Sequence, residues 1–221
     1  MKEKLITKKE LKKLFHDNMT MMIGGFASVG TPEVLIDAIV ESGVKGLTVI
    51  SNDSTHPEQG LWKLISKEGV VAKLIASHIG MNPLTGTKMN EGTLPVELIP
   101  QGSLAEKIRA GGAGLGGILT QTGLGTEVEE EKERITVDGV EFLLEKPLRA
   151  DIALIRGSIV DKKGNIMYKG TTQNFNPLMA MAADLVIVEA EDLVEVGAIE
   201  PENVRTPGIL VNYIVRSECH E

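Results

Sequence analysis

The sequence predicts an α/β fold built on an open, mostly parallel sheet with flanking helices. Three observations carry that expectation. Short, nearly continuous apolar runs at Met19 to Ile23, Gly46 to Ser51 and Ile152 to Ile155 have the length of strands buried on both faces. They alternate along the chain with stretches of helical period, the order that builds parallel sheets. Two strand-like runs also end in polar pairs, Asn52-Asp53 and Gln101-Gly102, where an open parallel sheet delivers the chain to its ligand edge.

In chain order, Lys8 to His16 reads as a helix and Met19 to Ile23 as the first strand, running into Gly24-Gly25-Phe26. Thr31 and Pro32 are helix-starting residues, and Val34, Leu35, Ala38 and Ile39 share one face of a helix from Pro32 to Ser42 that Gly43 stops. The spacing then predicts a strand at Gly46 to Ser51, a helix over Gln59 to Glu68, and strands at Val71 to Ser77 and Val96 to Pro100. Ser103 and Glu106 have capping-box spacing for a helix through Arg109. Seven glycines between Ala110 and Thr126 predict an ordered loop there in place of a regular element. Asp138-Gly139, between Ile135-Thr136-Val137 and Val140 to Leu144, predicts a small β-hairpin near 135–144. A strand at Ile152 to Ile155, a helix capped by Asn176-Pro177 and running through Ala183, and strands at Leu185 to Glu189 and Leu210 to Val215 complete the pattern. No compositional break divides the 221 residues, so one domain, 1–221, is expected.

Composition excludes several classes of function. With 23 basic and 31 acidic side chains the formal net charge is −8, and aromatics make up 3%, which leaves neither a broad basic surface nor stacking platforms for nucleic acid. The single cysteine, Cys219, permits no intrachain disulfide and no Cys-x-x-Cys site. His16, His56, His78 and His220 are scattered without ligand spacing, so no metal is expected. Gly112 to Gly117 matches Gly-x-Gly-x-x-Gly, but it follows a predicted helix where a dinucleotide fold needs a strand. The charged start, Met1 to Glu10, has no secretory pattern, and the longest uncharged run, Ala110 to Thr126, is too glycine-rich and polar to span a bilayer. A cytoplasmic protein without membrane contact is the expectation.

The stretch from Asp17 to Pro32 carries the most information. An apolar strand leads to Gly24 and Gly25, which let backbone approach a ligand closely, and Gly30-Thr31-Pro32 opens a helix whose N–H groups can face an anion. A tight turn with no ligand uses glycine equally well. The whole stretch resembles the N-terminal signature of family I coenzyme A transferases, in which an Asp or Asn, a Gly or Asn, two free positions and three apolar residues precede Gly-Gly-Phe-x-x-x-Gly-x-Pro. Pro100 to Gly114, Thr120 to Thr126 and Gly170 to Pro177 resemble further motifs of that family, and the likeness extends from about residue 17 to 215.

The resemblance implies the family's α/β fold and transfer of coenzyme A between a short-chain acyl-CoA (acetoacetyl-CoA, butyryl-CoA or acetyl-CoA) and a carboxylic acid. That reaction is ping-pong, through a glutamyl-CoA thioester, with CoA thioesters as substrates and no cofactor. In the family the glutamate lies in a Ser-Glu-Asn-Gly motif on a β subunit or on the second half of a fused chain. This chain contains no such motif; the nearest string, Ser217-Glu218-Cys219-His220, lacks the following glycine, and Glu218 is not assigned the role. The resemblance therefore implies an α subunit that needs a β subunit, as an α2β2 heterotetramer. It also implies that Asn52 and Gln101 bind substrate and that Gly24, Gly25, Phe26 and Gly30 form a glycine loop near the site, with a second glycine-rich loop at Gly114, Gly116, Gly117, Thr120 and Gly123. Residues such as Asn52 and Gln101 also commonly tie down loops. The architecture alone would equally suit a sugar-phosphate isomerase or a non-catalytic ligand-binding regulator.

Overall fold

A computed structural model describes residues 3–217; Glu218, Cys219 and His220 lie outside the described residues. The strands are β1 (Thr20–Ile23), β2 (Leu47–Ile50), β3 (Val71–Ala76), β4 (Val96–Leu98), β5 (Ile118–Thr120), β6 (Arg134–Val137), β7 (Val140–Glu145), β8 (Ala150–Asp161), β9 (Ile166–Met167), β10 (Ala183–Val194) and β11 (Tyr213–Arg216). The helices are α1 (Lys8–Leu11), α2 (Glu33–Ser42), α3 (Leu61–Ile65), α4 (Pro83–Asn90), α5 (Gln101–Ala113) and α6 (Asn176–Met181). The main sheet has the order β11-β10-β8-β1-β2-β3-β4, every neighbouring pair parallel, with β9 antiparallel on β8. This is the mostly parallel α/β architecture that the sequence predicts. No helix among the described residues is long and apolar enough to cross a membrane.

The apolar runs become strands because both faces of the sheet are covered. Met21 and Ile23 pack with Leu35, Ile39, Leu61 and Leu64 on one face, and Met22 packs with Leu104, Ile108 and Met179 on the other. A period of two thus divides one continuous apolar run between two cores. Helix α2 ends at Gly43 in the left-handed conformation, φ 76, as the sequence implies. Asp138 and Gly139, with φ 49 and 79, form the hairpin turn between β6 and β7.

Several expectations are corrected. The first helix is cut to α1 and a 3-10 turn at Lys12–Leu14, because Phe15 turns extended and buries beside Met19. The helix expected over Gln59 to Glu68 is only α3, and α4 has no counterpart in the pattern because Thr85 is its sole buried residue. Helix α5 begins at Gln101, and Ser103 is buried in its first turn with no partner for its hydroxyl, so it forms no capping box; Glu106 pairs with Arg109. The same helix runs through Gly111 and Gly112 into the segment expected to be a loop. A Cβ on Gly111 would run into the Leu148 carbonyl and one on Gly112 into Met181, so the absent side chains permit a close approach that outweighs poor helix propensity. Beyond it, β5 joins β7 and turns the expected hairpin into a three-stranded sheet. Asn176 is no N-cap either; it is buried and bonds elsewhere, and α6 stops at Met181. Strands β8 and β10 run twelve residues each, paired over almost their whole length, and Leu210 belongs to a 3-10 turn ahead of β11.

Candidate active site

A cleft of about 370 Å³ opens at the carboxyl edge of the sheet, lined by Phe26, Ala27, Asn52, Asp53, Ser77, His78, Met81 and Gln101. Each residue arrives by the same topological route. Phe26 and Ala27 follow β1, Asn52 and Asp53 follow β2, Ser77, His78 and Met81 follow β3, and Gln101 opens α5 after β4.

The polar wall is a directed chain of hydrogen bonds. Gln101 Nε2 donates to Asn52 Oδ1 at 2.8 Å, and Asn52 Nδ2 donates to Asp53 Oδ2 at 2.7 Å. Ser77 Oγ donates to the Asn52 carbonyl at 2.7 Å and to its Oδ1 at 3.0 Å. Asp53 also accepts the N–H groups of Ala27 and Thr55, each at 2.8 Å. Asn52 and Asp53 are buried, whereas Gln101 is exposed at the mouth. Gln101 is also the first residue of α5, whose first internal bond runs from Leu104 N–H to the Pro100 carbonyl, so the N–H groups of Gln101, Gly102 and Ser103 have no acceptor within the helix. A thirteen-residue helix aims the positive end of its dipole at the cleft. Phe26, 45% exposed, and Met81 form the apolar wall. The lining contains no Lys or Arg, hence no phosphate clamp.

The glycine loop is built by exclusion of side chains. A Cβ on Gly24 would collide with Asn176 Oδ1, and Gly25, at φ 122, has Thr31 Oγ1 where a side chain would start. A Cβ on Gly30, at φ 71, would stand 2.9 Å from the Thr172 carbonyl. Asn176 locks the arrangement: its Nδ2 donates to the carbonyls of Thr172 (2.8 Å) and Gly30 (3.2 Å), and its Oδ1 accepts from Arg156 N–H at 3.1 Å. The motif at Gly170 to Pro177 is therefore the packing partner of the glycine loop.

The structure brings Phe26, Asn52 and Gln101 together on the cleft and sets Gly24, Gly25 and Gly30 in the loop beside it. It does not bring the second glycine segment there. Thirteen residues of α5 put Gly114, the left-handed cap of that helix, about 20 Å along it from Gln101. Gly117 and Gly123 pack against Glu145 and Val128, Gly116 is open, and Thr120 Oγ1 accepts from Thr122 N–H, all around the three-stranded sheet. Ser77 and Met81 were not expected at the site and His78 was expected only as a scattered histidine, although the strand-end rule that singles out Asn52 applies to β3 as well. No cluster of three His, Cys, Asp or Glu able to hold a metal occurs among the described residues.

A carboxyl-edge cleft with uncharged amide donors, beside a glycine loop feeding a helix, is where an open parallel α/β sheet offers a ligand site. The coenzyme A transferase family model matches residues 5–217, and the chain belongs to that family. It is 58% identical over 216 residues to the acetoacetyl-CoA:acetate/butyrate CoA transferase alpha subunit of Clostridium acetobutylicum, covering 98% of this chain and 99% of that one. It is 51% identical to the acetate CoA-transferase subunit alpha of Escherichia coli K12, covering 99% of each. Among solved structures, glutaconate coenzyme A-transferase of Acidaminococcus fermentans shares the fold with a TM-score of 0.84 at 19% identity, over 97% of this chain and 75% of that one. An acyl-CoA transferase of Escherichia coli O157:H7, in a thioester complex with CoA, superposes with a TM-score of 0.84 at 23% identity over 97% of this chain, which spans 47% of that one.

Proposed function

We propose that this chain is the α subunit of an enzyme that moves coenzyme A between a short-chain acyl-CoA and a carboxylic acid, and that it supplies one wall of a site completed by a β subunit. The observation that carries the reading is the cleft itself, which offers amide donors and no free carboxylate. Asp53 is the one carboxylate among its lining residues, and its two oxygens already accept three N–H bonds. The nucleophilic glutamate then comes from the partner, consistent with the missing Ser-Glu-Asn-Gly motif and with relatives named as alpha subunits.

The chemistry proceeds in two halves. A glutamate carboxylate attacks the thioester carbonyl, expelling CoA thiolate and forming a mixed anhydride. The thiolate then attacks the glutamyl carbonyl, releasing the first acid and leaving a glutamyl-CoA thioester, and the second acid reverses these steps. Coenzyme A enters as substrate and no cofactor is required. This chain holds the acid: the second N–H of Gln101 Nε2 and the free N–H groups at the start of α5 donate to its carboxylate. Uncharged donors orient the acid without a fixed cation that would retain it. Phe26 and Met81 keep water from the anhydride, which hydrolysis would waste. An α2β2 assembly gives two such sites.

The chain co-expressed with a β-type subunit should exchange labelled acetate into acyl-CoA with ping-pong kinetics. A stable complex that binds acyl-CoA yet exchanges no acid would overturn the assignment.

A further inference from the structure

We propose that Asp53 is a positioning residue that fixes both walls of the cleft and acts on the substrate acid through Asn52 and Gln101. The inference rests on the transferase reading above. Asp53 is 2% exposed, and its carboxylate collects one donor from each of three places. Oδ2 accepts from Ala27 N–H after β1 and from the Asn52 side chain, and Oδ1 accepts from Thr55 N–H.

The bond from Asn52 decides which way that amide faces. With Nδ2 on the carboxylate, Oδ1 turns toward Gln101 Nε2 and Ser77 Oγ. The flipped amide would set its oxygen against Asp53 Oδ2, acceptor against acceptor, and present its NH2 to the Gln101 donor. Asp53 thus orients Asn52, and Asn52 orients Gln101, leaving one Gln101 N–H for the ligand.

The two backbone bonds hold strained loops. Phe26 and Val29 exchange hydrogen bonds at 3.0 and 2.9 Å across a two-residue turn, in which Ala27 and Ser28 have φ 48 and 69. Such a turn ordinarily takes Asn and Gly. Thr55, a β-branched residue, has φ 58. Ala27 and Thr55 therefore combine left-handed backbone with an N–H on Asp53, and conformations of this kind persist where the surroundings over-determine them. Releasing the carboxylate frees the turn that seats Phe26 on the apolar wall.

The test is a double-substitution cycle on the assembled complex with its β subunit, using Asp53→Asn, Gln101→Ala and the pair. An amide at position 53 cannot accept all three donors. Asp53→Asn should lower kcat/KM for the acid by about 10- to 100-fold, the scale of a misplaced reacting group, and by a several-fold smaller factor when Gln101 is already Ala, since coupled residues are not additive and the loss that remains is the part carried by the Phe26 turn. Thermal unfolding of each complex separates this from loss of fold. If Asp53→Asn alone does not assemble, the same cycle is run with Ala27→Gly added, since glycine adopts the left-handed turn without the brace. Equal losses in both backgrounds, or unchanged acid kinetics in an active complex, would overturn the role of Asp53 and leave the transferase reading standing. An inactive wild-type complex would overturn that reading and this inference with it.

Discussion

Gly25 stands at φ 122 with Thr31 Oγ1 in the space of a side chain, so Gly25→Val meets both a forbidden backbone and a collision. That substitution should abolish transfer while subunit association, followed by size-exclusion chromatography, is weakened or lost; parental turnover would place the loop away from the site. Gln101 lies at the mouth, and its removal leaves the buried Asn52–Asp53 pair in place. Loss of one hydrogen bond to the substrate acid, about 1–3 kcal/mol, corresponds to roughly 5- to 160-fold in kcat/KM for the acid at 1.36 kcal/mol per decade. Affinity for non-acylated CoA should change little in Gln101→Ala, and steady-state kinetics varying acid and acyl-CoA in turn can tell the two apart. Asn52 and Gln101 were legible in the sequence because a polar residue directly after a strand-like run marks the ligand edge of a parallel sheet. Their mutual bond was not, since it spans 49 positions along the chain.

At the scale of elements, α5 is tied to the three-stranded sheet by Glu145, which is 1% exposed and paired with Lys107 at 3.0 Å and with Lys132. Burial pushes the Glu145 pKa up, but the two ammonium groups outweigh it and hold the carboxyl below its ordinary 4.5. A depressed pKa contributes stability that is present above 4.5 and is lost as pH falls through the lower folded value. Glu145→Gln should therefore destabilise the chain by about 3 kcal/mol at neutral pH, the scale of breaking a buried pair, and should flatten the acid limb of a denaturant-midpoint profile. The opposite sign holds at the start of α2. Its N-cap is Pro32, with no capping side chain, and the buried Glu189 of β10 accepts from Val34 N–H at 2.8 Å instead. Burial, the largest influence, raises the Glu189 pKa above 4.5, only partly offset by Ser217, Arg156 and the helix N–H groups. Its contribution is complete below 4.5 and is lost as pH rises through the raised folded value, so Glu189→Gln should flatten the stability profile on that side. A profile that keeps the parental slope above 4.5 would deny Glu189 this part. The start of α2 was legible from Gly30-Thr31-Pro32, whereas its capping carboxylate, 155 residues away, was not.

On the transferase reading proposed above, the chain taken as a whole is one wall of a site whose nucleophile comes from a partner. The purified chain alone should show no CoA transfer, and adding the β subunit should restore it; ping-pong exchange by the isolated chain would refute the half-site. The sequence by itself determined the α/β class, the strands at Met19, Gly46 and Ile152, the α2 stop at Gly43, the Asp138-Gly139 hairpin, the glycine loop and the strand-end amides. Each of these is a local quantity, set by periodicity, turn chemistry or a short motif. Only the tertiary structure decided that α5 runs through Gly111 and Gly112, that β5 completes a three-stranded sheet, that Asn176 locks Gly30 from 146 residues away, and that one carboxylate at Asp53 gathers Ala27, Asn52 and Thr55. Those outcomes depend on which distant atoms come within contact distance once both faces of the sheet are covered. Packing can then reverse a local preference, as it does when two glycines let a helix turn lie against Leu148 and Met181.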